Sequence, residues 1–158
     1  MSRFIACLVS VLLVAACQTL TQEGLTESQI DVLRELGFQR QVSGWEFDLD
    51  GRILFGSDKA ELSAENRATI ARIVKVLDAV GIDHLRVEGY ADSSGNKRHN
   101  EILSLRRAEA VAREIGRAGL PYENITVTAY GIDNPVADNA TRAGRAQNRR
   151  VVIIVPVR

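Results

Sequence analysis

Apolar residues recur along this chain in two periods, and the period changes near glycines. Trp45, Phe47 and Leu49 alternate with Glu46 and Asp48, which predicts a strand with one buried face. Asp50-Gly51 reads as a turn, and Ile53-Leu54-Phe55 resumes the apolar run as a possible hairpin partner. Asp48-x-Asp50-Gly51 also starts like a calcium loop, but the remaining ligand spacing is missing and a turn is the simpler reading. Ile70, Ile73, Val74, Leu77 and Val80 form a helical stripe, with Ser63 placed to cap it and Gly81 to stop it. Leu85 and Val87 begin a strand that ends at Gly89-Tyr90. A second long helix is expected from Asn100 to Arg117, with Leu105, Ala108, Val111, Ala112 and Ile115 as its stripe. Gly116, Gly119 and Pro121 break it. Ile125, Val127 and Ala129 make a strand ending at Gly131, and residues 132–148 read as a long polar loop. The last strand, 151–157, is apolar on both faces and is therefore expected at the centre of the sheet or well covered.

The order β, α, β, α, β, β with two amphipathic helices predicts an α+β fold. Helices on one face of a small mixed sheet, in a two-layer sandwich, would bury both stripes. The connection from 85–90 through the helix to 125–131 is expected to be a parallel, right-handed crossover. Ahead of this pattern, Thr26-Glu27-Ser28-Gln29 has capping-box spacing. Ile30, Leu33 and Leu36 follow at helical spacing, and Gly37 stops the helix. This short helix either docks on the domain or binds a partner.

The N-terminus changes the picture of where the chain resides. Met1-Ser2-Arg3 is a short positive start, and Phe4 to Ala16 is apolar apart from Cys7 and Ser10. The run is shorter than the roughly 20 apolar residues needed to span a bilayer and fits the core of a secretory signal peptide. Leu13-Val14-Ala15-Ala16-Cys17 resembles a bacterial lipobox. That resemblance implies cleavage after Ala16 and lipidation of Cys17, and two or three acyl chains hold a membrane stably where one is marginal. Residues 1–16 are thus expected to be a signal peptide, 17–43 a lipidated tether with a short helix, and 44–158 the domain. The mature chain would have 158 − 16 = 142 residues, without free thiol or disulfide. The whole chain has 20 basic and 20 acidic residues, so composition gives no nucleic-acid footprint.

The stretch "GYADSSGNKRHNEILSLRRAEAV", residues 89–111, carries the candidate chemistry. On a helical wheel the apolar stripe centres on Ala108, Val111, Ala112 and Ile115. Arg106 then faces water, whereas Arg107 sits at the border of the buried face and shares a flank with Asn100. A border arginine can pack its stem and aim its fork into a pocket. Asp92 lies in the loop at the carboxyl end of a strand, where open α/β sheets tend to build sites. An acid and an arginine so placed can receive a ligand bearing an ammonium and a carboxylate on one carbon, the arginine binding the carboxylate through two parallel hydrogen bonds. From residue types and spacing alone, a solvated loop or a surface ion pair is the simpler reading.

Gly89-Tyr90-Ala91-Asp92, Gly95, Asn100, Leu103-Ser104-Leu105-Arg106-Arg107-Ala108, Gly131, Pro135 and Gly144-Arg145-Ala146-Gln147-Asn148-Arg149-Arg150-Val151 resemble, in that order, the OmpA-like peptidoglycan-binding domain. Phe55-Gly56-Ser57-Asp58 matches that family's first strand-to-helix loop, and the likeness covers about residues 44–157. The resemblance implies a domain that grips the meso-diaminopimelate of the peptidoglycan stem peptide. Asp92 would bind the ammonium and Arg107 the carboxylate, with Asn100, Asp58 and Arg149 lining the pocket. Arg149 and Arg150 point to opposite sides of a strand; the family pattern favours Arg149, leaving Arg150 as a surface arginine. Tyr90 and Ala91 stand where members commonly carry histidine and threonine, which removes one secondary hydroxyl contact.

Residues 27–36, Gly44-Trp45-Glu46 and Ile53-Leu54-Phe55-Gly56 resemble a group of lipoproteins that control a periplasmic repressor of a membrane diguanylate cyclase. This implies a possible periplasmic protein partner bound through residues 27–55. Gln18 after the lipidated cysteine points to the outer membrane, with the domain facing the periplasm. The expected function is therefore a lipid-anchored module that binds peptidoglycan and links or senses envelope spacing. The alternative is a signalling lipoprotein that sequesters the repressor, with peptidoglycan as its anchor. Catalysis is not expected: Ser93 and Ser94 have no evident base beyond His99, and Glu88 and Asp92 do not suggest an acid/base pair across a cleft. Two scattered histidines suggest no metal site, and no cofactor is implied.

Overall fold

The computed structural model describes residues 24–50 and 60–157. Its first helix, α1 (Glu27–Glu35), starts with a complete capping box. Gln29 N–H donates to Thr26 Oγ1, and the Gln29 side chain accepts from Thr26 N–H. Two hairpin strands follow, β1 (Gln39–Gln41) and β2 (Gly44–Asp50). Helix α2 (Ala64–Ala79) is capped by Ser63, which accepts from Asn66 N–H. It buries Ile70, Ile73, Val74 and Leu77, four of the five positions expected in its stripe, while Val80 is half-buried at its C-cap. Strand β3 (Leu85–Tyr90), helix α3 (Lys97–Arg117) and strand β4 (Ile125–Gly131) come next. Helix α4 (Arg142–Asn148) and strand β5 (Arg150–Val155) close the chain.

The five strands run in the order β1-β2-β5-β3-β4. β3 and β4 pair in parallel, as a crossover through α3 requires, and the other pairs are antiparallel. β5 lies in the middle of the sheet, and all six of its residues are buried. Its two-faced apolarity follows from that place: Val151, Ile153 and Val155 join the main core under the helices, whereas Val152 and Ile154 pack with Tyr90 and Tyr130 on the other face. The main core also holds Val87, Ile70, Leu77, Val111 and Ile115. The fold is therefore the expected α+β arrangement of helices against one face of a mixed sheet.

Four local expectations need correction. α3 begins at Lys97, because Asn96 accepts from His99 N–H and caps it one turn earlier. Leu105, expected in its stripe, is 40% exposed. The stretch 132–148 is not all loop, since α4 forms within it. The N-terminal segment, read as a tether to residue 43, is folded onto the domain from Leu25 onward: Leu25, Ile30, Leu33 and Phe38 are buried in the main core, and β1 pairs with β2. The proposed pairing of Ile53-Leu54-Phe55 lies outside the described residues. Among the described residues, no helix is long and apolar enough to cross a membrane.

Candidate functional site

Two contacts fix α3 against the end of β3. Gly89 lies so close to the helix that an added Cβ would stand 2.1 Å from the Ser104 carbonyl oxygen. The Ser104 hydroxyl, fully buried, accepts from Gly131 N–H at 3.1 Å and donates to the Glu101 carbonyl at 2.9 Å. The helix is thus seated on β3 and β4 at the level where the 91–95 loop leaves the sheet.

That loop is bonded on both sides. Asn100, at the end of the first turn of α3, donates to the carbonyls of Asp92 (3.1 Å) and Ser94 (2.7 Å). Asp92 Oδ1 accepts from Ser94 N–H at 2.7 Å, and Asp92 Oδ2 accepts from Arg149 Nη1 at 2.5 Å. Asp92 is only 7% exposed. Burial by itself would push its carboxyl up, but the hydrogen bonds from Arg149 and Ser94 outweigh that and hold it below the usual carboxylate range. The site therefore keeps an ionised carboxylate in a largely desolvated corner.

Arg107 is 3% exposed, whereas Arg106 points outward and is exposed. Arg107 is more deeply placed than a border position, and the helical pattern shows why. Asn100, Ser104 and Arg107 are all buried on one flank of α3, spaced i, i+4, i+7. Helical side chains lean toward the N-terminus, so the Arg107 stem runs toward the Asn100 end of that flank. Asp92, Asn100 and Arg149 are directly bonded together, and Arg107 lies two turns along from Asn100. Asp58 and Cys17 lie outside the described residues.

Arg149 and Arg150 part company at the start of β5. Arg149 turns to Asp92. Arg150 goes to the helix-free face, where its guanidinium lies 3.8 Å over the Tyr90 ring and 3.9 Å from Asp48. It is 7% exposed, so the expectation of a surface arginine fails: its guanidinium lies against the Tyr90 ring, which in turn stacks on Tyr130. Tyr90 donates its hydroxyl to Glu88 at 2.5 Å, and burial followed by that carboxylate raises its pKa.

Three residues around this cluster, Asn148, Asn139 and Ser104, were not singled out from the sequence. Asn148 is 1% exposed and satisfies its amide fully, accepting from Val136 and Ala137 N–H and donating to the Ala137 carbonyl and to Asn139 Oδ1. Asn139 Oδ1 also accepts from Ser93 N–H. Ser104 was quoted only within a motif; the polar i, i+4, i+7 spacing beneath a helix is the signal that would have singled it out.

Residues 54–149 match the model of the OmpA family. The chain is 48% identical over 147 residues to the outer-membrane lipoprotein YfiB of Pseudomonas aeruginosa, covering 92% of this chain and 88% of that one. It is 37% identical over 105 residues to the peptidoglycan-binding protein ArfA of Mycobacterium tuberculosis, covering 66% of this chain and 32% of the longer relative. Among solved structures, the cell wall anchor of the type VI secretion system from Pseudomonas aeruginosa superposes with a TM-score of 0.68 at 29% identity, over 82% of this chain and 94% of that one. With its motifs in register over most of its length, this chain belongs to the OmpA family.

Proposed function

We propose that this protein is an outer-membrane lipoprotein, anchored through Cys17, that holds peptidoglycan non-covalently by the meso-diaminopimelate of the stem peptide. The observation that carries the reading is the bonded cluster of an ionised Asp92, the Asn100 amide that fixes its loop and the Arg149 guanidinium, with Arg107 buried on the same flank of α3 as Asn100. The ligand's side-chain centre bears an ammonium and a carboxylate, and the corner offers a partner for each. Asp92 takes the ammonium, Arg107 takes the carboxylate through its fork, and Asn100, Arg149 and Asp58 line the pocket. Relatives whose names record peptidoglycan binding or cell wall anchoring support the ligand class. The test is pull-down by isolated sacculi. Asp92→Ala and Arg107→Ala are expected to abolish retention while the circular dichroism spectrum stays native, and retention of both variants at the wild-type level would refute the site.

Because residues from Leu25 onward pack on the core, the tether shortens to residues 18–24, about 24 Å fully extended. A domain held so near its membrane meets the wall only at close spacing, which favours a role in reporting that spacing. A second reading, in which residues 27–55 engage a periplasmic repressor, is favoured by Val42, a fully exposed valine between β1 and β2. Ile30 and Leu33 are spent on the core, so that partner would have to meet the hairpin and not the apolar face of α1. Val42→Glu should weaken capture of the repressor and leave sacculus binding intact; unchanged capture would remove this reading.

A further inference from the structure

Asp92 and Arg149 meet across two chain segments that are far apart in sequence. Each has a chain neighbour, Ser93 and Asn148, and both neighbours bond to one oxygen. Asn139 Oδ1 accepts from Ser93 N–H at 3.1 Å and from Asn148 Nδ2 at 2.9 Å. We propose that Asn139 is a positioning residue for peptidoglycan binding, its side-chain carbonyl setting the Asp92 loop at the separation from Arg149 that the ligand requires. This rests on the reading of Asp92 and Arg149 as ligand-binding residues.

The loop's hydrogen bonds show why one oxygen has this leverage. The Asp92 and Ser94 carbonyls are held by Asn100, and Ser94 N–H is held by Asp92 itself. These bonds tie the loop to α3 and to itself. Ser93 N–H is the bond that ties it to the 136–141 segment, and a carbonyl oxygen with two lone pairs can accept from both sides at once.

Asn139 is also placed so that its loss is local. It is half-buried, its backbone carbonyl is separately held by Arg145, and Asn148 keeps its three bonds to Val136 and Ala137. Ser93 is exposed, so water can take its N–H if Asn139 is removed. The ligand-free distance to Arg149 would then rest on the Asp92–Arg149 ion pair alone, so a ligand that engages Asp92 would meet a loop without its second tie, while the domain keeps its core packing.

The test uses the full chain in detergent, titrated calorimetrically with the tripeptide L-Ala-γ-D-Glu-meso-diaminopimelate, with thermal melts and Ser93 amide exchange measured alongside. Asn139→Ala is expected to weaken binding about tenfold, the scale of one lost hydrogen bond. Its melting temperature should fall only modestly, since the buried Asn148 amide loses one of its four bonds, and Ser93 should exchange faster. Asn139→Asp keeps the accepting oxygen and should recover both affinity and Ser93 protection. Wild-type affinity in Asn139→Ala, or failure of Asn139→Asp to restore it, would overturn the positioning role alone. A wild type that does not bind the tripeptide would instead refute the ligand assignment, and this role with it.

Discussion

Gly89→Ala puts the architecture of the site under the sharpest test. A methyl group at this position would stand 2.1 Å from the Ser104 carbonyl oxygen, 2.9 Å from its carbonyl carbon and 3.1 Å from Ala108 Cβ. A carbon–oxygen contact of this kind normally sits near 3.3 Å, so α3 must retreat by about 1.2 Å. The first obstacle is backbone, and Ser104 is itself tied to Gly131, so no rotamer change relieves it. Overpacking of this order costs about 1–3 kcal/mol, and the upper end is expected here. Alanine is otherwise the better strand residue by roughly 0.5–1 kcal/mol, so the sign of the effect decides between the two terms. Chemical denaturation should show a loss of about 2 kcal/mol, equivalent to a melting temperature lower by roughly 6 °C. Asn100 and Arg107 would move with the helix while Asp92 stays with β3, so affinity for the tripeptide should fall by about tenfold or more, as small misplacements at a clamp do. A variant as stable as wild type would refute the close-packing account. One that is destabilised but binds normally would show that the helix position does not set the clamp.

Three further outcomes are expected. Arg106→Ala should leave sacculus retention nearly unchanged, because Arg106 faces solvent; a loss as large as that of Arg107→Ala would overturn the division between the two arginines. Leu33→Ala should cost about 2–5 kcal/mol in denaturant titration, since Leu33 is fully buried under α1; a loss under about 0.5 kcal/mol, the range of surface substitutions, would mean the N-terminal helix is not part of the folded unit. Because the folded Asp92 carboxyl lies below its unfolded value, its contribution to stability is present above about pH 4 and is lost as the pH falls through the folded pKa. Stability and tripeptide binding should therefore both persist at pH 5 and weaken in the acid range below about 4, and Asp92→Asn should abolish the acid-range change attributable to this group.

Much of this molecule was legible from periodicity. The α2 stripe, the parallel pairing of β3 with β4 and the central place of β5 follow from 3.6-residue spacing, crossover logic and apolarity on two faces. What was missed has physical reasons. β1 is Gln-Arg-Gln and wholly exposed; its strand state comes from pairing with β2 and leaves no apolar trace. α4 is a seven-residue helix of four polar residues, two alanines and a glycine, and it is held by the Thr141 cap and the buried Asn148 amide, not by an apolar stripe. Along α3 the usual code inverts at the site: Leu105 is exposed while Asn100, Ser104 and Arg107 are buried. A hydropathy reading places a polar flank in solvent, and only tertiary hydrogen bonding shows it to be interior. Asp92, Asn100 and Arg107 stood out from loop position and the helical wheel, but spacing left open whether acid and arginine formed a site or a surface pair; the family resemblance added Arg149 and the expected ligand.

The central claim is that Asp92 and Arg107 divide the two charges of one diaminopimelate centre. A crystal structure of this protein with L-Ala-γ-D-Glu-meso-diaminopimelate tests it most directly. The account predicts the ligand's ammonium within hydrogen-bond distance of the Asp92 carboxylate and its carboxylate on the Arg107 fork, with Asn100 still holding the Asp92 loop. A peptide bound elsewhere, or bound in this corner without contact to both residues, would contradict it.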